Sequence, residues 1–380
     1  NIFYGGGMGF LSGTSVVAIE QAVAAPACTM RLAQAGAEVI KIERPEGDFA
    51  RGYDTAVAGQ SSYFVWLNAG KKSVVLDLRQ AEEVQTLRRL IARCDVLVQN
   101  LKPGALRKLG LDLTELHEQF PALISMSISG FAPDGPGHSR KAYDLLMQAE
   151  SGLSSITGSP HAPGRVGVSL VDIATGQFAY EAILGALIER GNGGRGAELS
   201  VSLFDAVAQW LAVPYLLDRY GSAAPSRIGL AHPGICPYGV FTAQCGQGFI
   251  LSVQNEREWR QLCQIAISRE DLATDPRCQD NETRVDNRAF VDAAVQEAIS
   301  QMPYSRVEEC FTRADLAFAP VNALGSLKSH ADFHTFDVTV GDATIALPRV
   351  PGADNGPRSP AKVPELGAHT NEVLNSLRNT

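Results

Sequence analysis

The sequence predicts an α/β fold built on a parallel sheet, on three observations. Short apolar runs alternate with helical patterns as far as Ser129, as βαβ units do. The chain has 380 residues, enough to bury a sizeable core and to form two domains. Its composition, 45% hydrophobic and 19% charged, is that of a globular protein.

The first strand is Val16–Glu20, and the helix after it opens near Pro26, whose missing N–H costs nothing in a first helical turn. Gly36 ends that helix. Strands follow at Glu38–Glu43 and Ser73–Leu78, then a helix over Ala81–Cys94 with Val84, Leu87, Leu90 and Ile91 on one side and arginines on the other. Asp95–Gln99 is the next strand; a helical stretch follows Gly104, and Ala122–Ser129 is a further strand. Later, a turn at Gly191–Gly196 leads into a strand, Ala197–Leu203, and a helix, Phe204–Tyr220. The Gly- and Pro-rich run Gly221–Gly239 reads as a linker that also contributes a loop. Val240–Thr242 and Gly248–Val253 form a hairpin, and Trp259–Ile265, Arg288–Ile299 and Ser305–Ala314 are helices. After Pro320 come prolines and short strands, then an amphipathic helix within Pro364–Leu377 that returns to the first domain.

The expected organisation is therefore a non-native extension at residues 1–7, with the native chain starting near Met8 and no targeting segment, and a large α/β domain over 8–220. A linker and loop over 221–239 and a small α+β domain over 240–325 follow, and residues 326–380 complete the large domain.

The formal charge of −8 argues against non-specific nucleic-acid binding, so an anionic ligand has to meet a local basic cluster. Seven scattered cysteines without a CxxC pair read as free thiols of a reducing, cytoplasmic compartment, and seven dispersed histidines give no metal-ligand spacing. No apolar run long enough to cross a membrane is expected, so the protein reads as soluble.

One carboxylate stands out. Asp172 follows the apolar run Val166–Val171 and precedes a helical pattern that puts Ile173, Phe178, Ile183, Leu184, Leu187 and Ile188 on one side. It thus falls at or near a helix N-terminus, where backbone N–H groups and the helix dipole favour the ionised form. A positioned carboxylate can be a nucleophile; equally, aspartate is a common helix cap that does nothing else.

In parallel sheets ligands bind beyond the carboxyl ends of the strands, which places Gln21, Ala22, Arg44, Arg79 and Asn100 around one cleft. The first strand-to-helix turn reads EQAVAAPAC, without the GxGxxG of dinucleotide sites. Basic residues nevertheless concentrate in this third of the chain: Lys41, Arg44, Arg51, Lys71, Lys72, Arg79, Lys102, Arg107 and Lys108. Those lying after strands are candidates for phosphate groups, the rest for solvated faces.

The sequence resembles the class III CoA-transferases, the group of formyl-CoA transferase and carnitine CoA-transferase, with α-methylacyl-CoA racemase as a relative. The matching stretches are Ala25–Arg51, Leu67–Leu78, Asp95–Leu111, KAYD at Lys141–Asp144, the Asp172 segment, His232–Phe241 and PELGAHTNEVL near the end, in family order. The resemblance implies a Rossmann-like large domain built from both chain ends, a smaller inserted domain and an interlocked homodimer. It implies Asp172 as nucleophile, with Asp144 and Tyr143 beside the reacting groups. A histidine holds the Tyr143 position in the racemase branch, so tyrosine there favours transfer over epimerisation.

For CoA, which is a substrate and not a tightly bound cofactor, the resemblance points to Gln21, Ala22, Arg44, Leu76, Arg79, Asn100, Leu101, Lys108 and Lys141. Formyl-CoA transferase has a glutamine in place of Val23 and a glycine-rich loop in place of HPGICPYG, which speaks against oxalate as acceptor. The replacement loop, with Arg227 and His232, resembles the branch that takes C4 and C5 dicarboxylates such as mesaconate, itaconate or citramalate from succinyl-CoA. The rival readings are an α-methylacyl-CoA epimerase and a non-catalytic CoA-binding protein.

Overall fold

The computed structural model describes residues 9–221, 226–351 and 361–378. The expected non-native extension at residues 1–7 lies outside them.

The described residues of Asn1–Leu153, Val166–Val213 and His334–Thr380 form one compact unit, and those of Ser154–Arg165 and Pro214–Phe333 a second. The bounds differ from the expected 220 and 326, and residues 154–165 leave the first unit through a long-range pairing. Residues 154–165 hold a small hairpin that pairs with a segment far along the chain: Gly229 N–H donates to Gly158 C=O at 3.2 Å, and Arg227 donates to the carbonyls of Ser155 and Ser159. No local pattern announces such a pairing.

The first unit runs β1 (Ser15–Ile19), α1 (Ala24–Gln34), β2 (Glu38–Glu43), α2 (Ser62–Asn68), β3 (Lys72–Val75), α3 (Ala81–Ile91), β4 (Val96–Gln99), α4 (Ala105–Lys108), α5 (Leu113–Gln119), β5 (Ile124–Ser129) and α6 (Asp144–Glu150). The turn α7 (Leu153–Ile156) and the hairpin β6 (Gly158–Ser159) and β7 (Ala162–Pro163) interrupt it. Then come α8 (Leu170–Gly191), β8 (Glu198–Ser202), α9 (Leu203–Trp210) and α10 (Ala212–Tyr220), the last crossing the unit boundary.

Six strands form one parallel sheet in the order β3-β2-β1-β4-β5-β8. The chain moves outward from β1 to β3, then returns to β4 on the other side. The strand order therefore reverses between β1 and β4, which opens a crevice at their carboxyl ends. Residues alternate between two helical layers. Val16 and Ala18 pack with α1 and α8 on one face, while Val17 and Ile19 pack with α3 and the C-terminal helix on the other.

The buried side of α8 matches the apolar stripe expected from the sequence only in part: Ile183 is buried and Leu184 and Leu187 pack against the same core, but most of the buried positions are small. Val171, Ala174, Thr175, Gly176, Ala179, Tyr180, Ile183 and Ala186 are buried, while Ile188 is 68% exposed. Small residues win because α1 lies close: a Cβ on Gly176 would stand 2.7 Å from the Ala24 carbonyl oxygen. Against expectation, α8 is also long and apolar enough on average to span a membrane. Its packing against α1 and the sheet accounts for that apolarity.

The helix expected over Phe204–Tyr220 breaks at Leu211. Pro214 cannot supply an interior N–H but is tolerated in the first turn of a new helix, α10. The third strand also stops at Val75, three residues early, and Leu76–Arg79 line a cleft beyond its carboxyl end instead.

In the second unit, β9 (Tyr238–Thr242), β10 (Gly248–Ser252) and β11 (Ala317–Pro320) form an antiparallel sheet. Helices α11 (Glu256–Gln261), α12 (Glu270–Thr274), α13 (Asn281–Asp286), α14 (Arg288–Ile299) and α15 (Tyr304–Arg313) accompany it around Phe249, Trp259 and Phe311. The buried Arg284 is held there by Glu256 at 2.7 Å and by the Cys236 and Cys278 carbonyls.

The chain then returns to the first unit with β12 (Thr335–Val340), β13 (Ala343–Pro348), β14 (Ala361–Lys362) and α16 (Thr370–Ser376). This return closes the edge strand β3. Ser73 N–H donates to His369 Nδ1 at 3.2 Å, Val75 N–H donates to Thr370 Oγ1 at 3.0 Å, and Val373 and Leu377 enter the core. Covering these free N–H groups is one way proteins protect a sheet edge.

Candidate active site

At the carboxyl ends of β1 to β4 lies a cleft of about 550 Å³, a size usual for small-ligand sites. Of the residues singled out from sequence, Gln21, Arg44, Leu76, Arg79 and Leu101 line it. Arg44 and Arg79 have side chains 56% and 75% exposed. Arg79 grips Asp77 through Nε at 2.7 Å, and Arg44 donates to the Gly47 carbonyl at 2.9 Å. Exposed pairs of this kind are weak, so both guanidinium groups are available to an incoming anion.

Asn100 sits behind the lining. Its amide accepts from Gln21 N–H at 3.0 Å and donates to Gln21 C=O at 2.8 Å, so it holds the turn after β1. Ala22, next in that turn, has φ +63°. Val23 is buried beside Ala27, Met30 and Leu67, with Tyr63 and Trp66 packed against them. Lys108 and Lys141 are exposed and lie outside the cleft lining.

Several basic residues considered for phosphate binding serve another purpose. Lys41 and Lys71 are buried under the cleft. Lys71 Nζ contacts Glu20 Oε1 at 2.8 Å, Thr29 Oγ1 at 2.6 Å, Pro26 C=O at 3.1 Å and Asn68 Oδ1 at 3.2 Å. Lys41 Nζ bonds Asp48 Oδ2 at 2.8 Å and reaches Glu20 at 3.4 Å. Arg51 grips Glu43 bidentately and lies 3.7 Å over the Phe64 ring.

Three carboxylates thus face three cations in the core. Burial opposes ionisation of Glu20, but Lys71 and Lys41 outweigh it and hold its carboxyl below the usual range. For Lys71, burial dominates and pulls the ammonium down to about 8. Lys72 pairs with Glu38 and Glu372, and Arg107 with Asp112.

The second part of the site is the start of α8. The helix cap position is Ser169, so Asp172 stands in the first turn and is not the cap. Asp144, buried at the start of α6, takes the donors that Asp172 was expected to use. Its Oδ1 accepts from Val171 N–H at 2.7 Å and Asp172 N–H at 3.3 Å, while Oδ2 accepts from Gln148 at 2.7 Å. Gln148 in turn accepts from Val166 N–H at 2.9 Å. Asp172 is left without a side-chain hydrogen bond among the described residues, and burial, then the Asp144 charge, push its carboxyl up to about 7. The expected preference for the ionised form is overturned by burial and by the Asp144 charge, and the two helix-end N–H groups that could have offset them are held by Asp144.

Aromatic side chains surround this end. Tyr63 Oη is 2.9 Å from Ser169 Oγ, and Tyr63 packs edge-on against Tyr53, which also meets Phe49. Burial, and then the charges of Asp48 and Asp172, push the Tyr53 phenol up to about 12. Tyr143, 58% exposed, precedes α6 and acts on Tyr53 as well. Tyr53, Tyr63, Asp48 and Glu20 are site residues that sequence reasoning missed. GDFARGY after β2 was a visible signal for Asp48 and Tyr53, whereas Glu20 meets its partner Lys71 only in the fold.

Arg227 and His232 belong to the second unit. Arg227 donates to the carbonyls of Ser155 and Ser159 at 2.8 and 3.1 Å. His232 stacks on Tyr238 with ring centres 5.3 Å apart and accepts from Gly234 N–H at 3.1 Å. No metal-type cluster of three or more His, Cys, Asp or Glu occurs among the described residues.

The raised Asp172 carboxyl carries a stability prediction. Its folded pKa near 7 exceeds the unfolded 3.8, so between these values the folded state holds more protons. Wild-type stability from this group is greatest at low pH and falls as pH rises through that window. Asp172→Asn does not titrate, so its advantage grows across the window. Allowing for partial exposure, it should reach about 1–3 kcal/mol near pH 8 and nearly vanish near pH 4. Thermal melts of both proteins at the two pH values check this.

Fold and site together define an α/β protein with a ligand cleft at a topological switch point, a carboxylate unpartnered among the described residues and an aromatic wall. Comparison with known proteins gives the family. The profile described as CoA-transferase family III matches residues 11–370. This chain is 35% identical over 316 residues to the acetyl-CoA:oxalate CoA-transferase of Acetobacter aceti, covering 82% of this chain and 81% of that one. It is 31% identical to the succinyl-CoA:glutarate CoA-transferase of Mus musculus, covering 97% and 86%. The crystal structure of a CAIB/BAIF family protein from Brucella suis superposes with a TM-score of 0.83 at 30% identity, covering 98% of this chain and 100% of that one. The chain belongs to CoA-transferase family III and is an enzyme of that family.

Proposed function

We propose that this enzyme moves CoA from an acyl-CoA donor such as succinyl-CoA to a small C4 or C5 dicarboxylate, with Asp172 as nucleophile. The observation that carries the reading is an Asp172 carboxylate without a side-chain hydrogen bond among the described residues, whose neighbouring helix-end N–H groups are held by Asp144. An ionised carboxylate in that state keeps its lone pairs for an incoming carbonyl.

In the proposed cycle an Asp172 oxygen attacks the donor thioester carbonyl, and the C–S bond breaks to release CoA as thiolate and leave an acyl-aspartyl mixed anhydride. The thiolate attacks the aspartyl carbonyl and releases the donor acid, leaving an aspartyl-CoA thioester. The acceptor carboxylate then attacks that thioester, again expelling thiolate and forming a second anhydride. Attack of the thiolate on the acceptor carbonyl yields the new acyl-CoA and frees Asp172. The acyl activation is conserved throughout, because each step trades one activated carbonyl for another.

The cleft at β1–β4 is the proposed seat of the CoA nucleotide, with Arg44 and Arg79 for phosphates, whose oxygens suit the guanidinium fork. Replacing either arginine with alanine should raise KM for the acyl-CoA about tenfold while leaving kcat near wild type, since remote binding is removed and not chemistry. Initial rates against donor concentration check this. The glutarate relative supports a dicarboxylate acceptor; the oxalate relative sets against it a shorter one, so oxalate, succinate, glutarate, mesaconate, itaconate and citramalate belong in one acceptor panel.

The proposal includes a homodimer. Trp210, Val213, Tyr215, Leu216, Leu217 and Tyr220 are each 45% or more exposed, and an apolar run of that size suits a subunit interface. Light scattering that returned a monomer mass at micromolar concentration would remove that part. The chemical test is intact mass after incubation with succinyl-CoA. A CoA-sized adduct, released by hydroxylamine and absent from Asp172→Ala, is expected; failure to trap one with any acyl-CoA that binds would refute the aspartyl mechanism.

A further inference from the structure

We propose that Asp48 is the positioning residue of the cleft: backed by Lys41, its carboxylate holds the turn between β1 and α1 in the shape that presents the Gln21 and Ala22 backbone to the ligand. The inference rests on reading the cleft as the CoA nucleotide site.

The turn after the first strand is where open parallel sheets meet their ligands, and sheets that bind dinucleotides use glycines there because the backbone has to take unusual angles. This chain has none: the turn reads Glu20-Gln21-Ala22-Val23. Ala22 nevertheless adopts φ +63°, a left-handed conformation that a residue with a Cβ rarely takes unaided.

Two side chains supply the constraint. Asn100 clamps both backbone groups of Gln21. Asp48 Oδ1 accepts Ala22 N–H at 3.1 Å and Ala50 N–H at 2.9 Å, while Oδ2 takes Lys41 Nζ at 2.8 Å. Asp48 N–H donates to Glu43 Oε2 at 3.0 Å, and the residue is only 5% exposed. With every oxygen bonded and a buried lysine behind it, the carboxylate has one available orientation. It also caps the short helical turn Phe49–Gly52 that leads to Tyr53. Asp48 lines the cleft itself, together with Gly47 and Glu46, so it fixes the two facing rims at once. It acts through Ala22 and touches none of the reacting atoms.

Asp48→Asn is nearly isosteric but cannot satisfy both partners: the amide oxygen that serves Lys41 leaves an NH2 against the Ala22 N–H. Calorimetric titration of the full chain with CoA should show about tenfold weaker binding for Asp48→Asn, the loss of a charge-assisted hydrogen bond. The transfer kcat at saturating donor should stay within about threefold. Adding Ala22→Gly to Asp48→Asn should recover most of the affinity, because glycine enters the left-handed region unaided.

Ala22→Val, with Asp48 intact, should lose CoA affinity comparably, and it tests the turn even if Asp48→Asn does not fold. Hydrogen exchange of the 20–24 backbone amides reads the turn independently of any ligand and should speed up in Asp48→Asn. CoA binding within twofold of wild type in Asp48→Asn, no recovery in the double variant, or unchanged exchange at the turn would each overturn the role of Asp48. Wild-type protein that binds no CoA would instead sink the CoA reading, with the exchange rates still deciding whether Asp48 holds the turn.

Discussion

Asp172→Ala is expected to lower CoA transfer by about 10⁴-fold or more, since removing a nucleophile removes the covalent route and not merely a contact. Binding should survive: the cleft at β1–β4 is lined without Asp172, so the variant's CoA affinity should stay within about threefold of wild type. Rates with succinyl-CoA and the acceptor panel, set beside a CoA titration, separate the two quantities. Equal loss of binding and turnover would mean that Asp172 holds the site together. The same carboxyl, pushed up to about 7 by burial and by Asp144, should make kcat/KM rise with pH through that value, because the nucleophile is the ionised form and kcat/KM reports the free enzyme. A profile flat from pH 5 to 9 would count against Asp172 titrating there.

Lys71→Met should be the most destabilising single change outside the chemistry. Lys71 is 2% exposed, and its three N–H donors are shared among four acceptors within 3.2 Å, one of them the buried Glu20. Methionine fills most of the volume but leaves Glu20 with only the longer 3.4 Å contact to Lys41 and its hydroxyl bond from Thr29. Breaking a buried ion pair from one side costs about 3–5 kcal/mol, most of it the burden of the charge left behind. Denaturant unfolding checks the loss. Glu20→Gln combined with Lys71→Met should recover part of it, since the pair is then removed together. Recovery of nothing would show that the cost comes from Asn68, Thr29 and Pro26 and not from Glu20.

Of the residues placed by their position just after strands, Gln21, Arg44 and Arg79 line one cavity because parallel strands deliver their carboxyl ends to one edge, whatever the order in which the strands pair, whereas Leu76 and Leu101 were pointed to by the family resemblance. Lys41 and Lys71 escaped that reasoning. A lysine reads as a surface charge until its partner is known, and Glu20 lies 51 residues from Lys71 in the chain. Tyr53 and Tyr63 were missed because an aromatic wall forms only when the loop after β2 and helix α2 meet the start of α8.

By itself, the sequence determined the alternation of strands and helices, the glycine stop at Gly36, the amphipathic C-terminal helix and the placing of Asp172 at or near a helix N-terminus. Each rests on local periodicity, backbone preference or a short motif, which are encoded within a dozen residues. Only the tertiary structure decided the state of that aspartate. The helix end should have favoured its charge, but Asp144 arrives from a separate helix, takes the N–H groups and adds its own charge. Desolvation and donor occupancy are properties of an assembled neighbourhood, so no reading of the α8 segment alone could have given their sign.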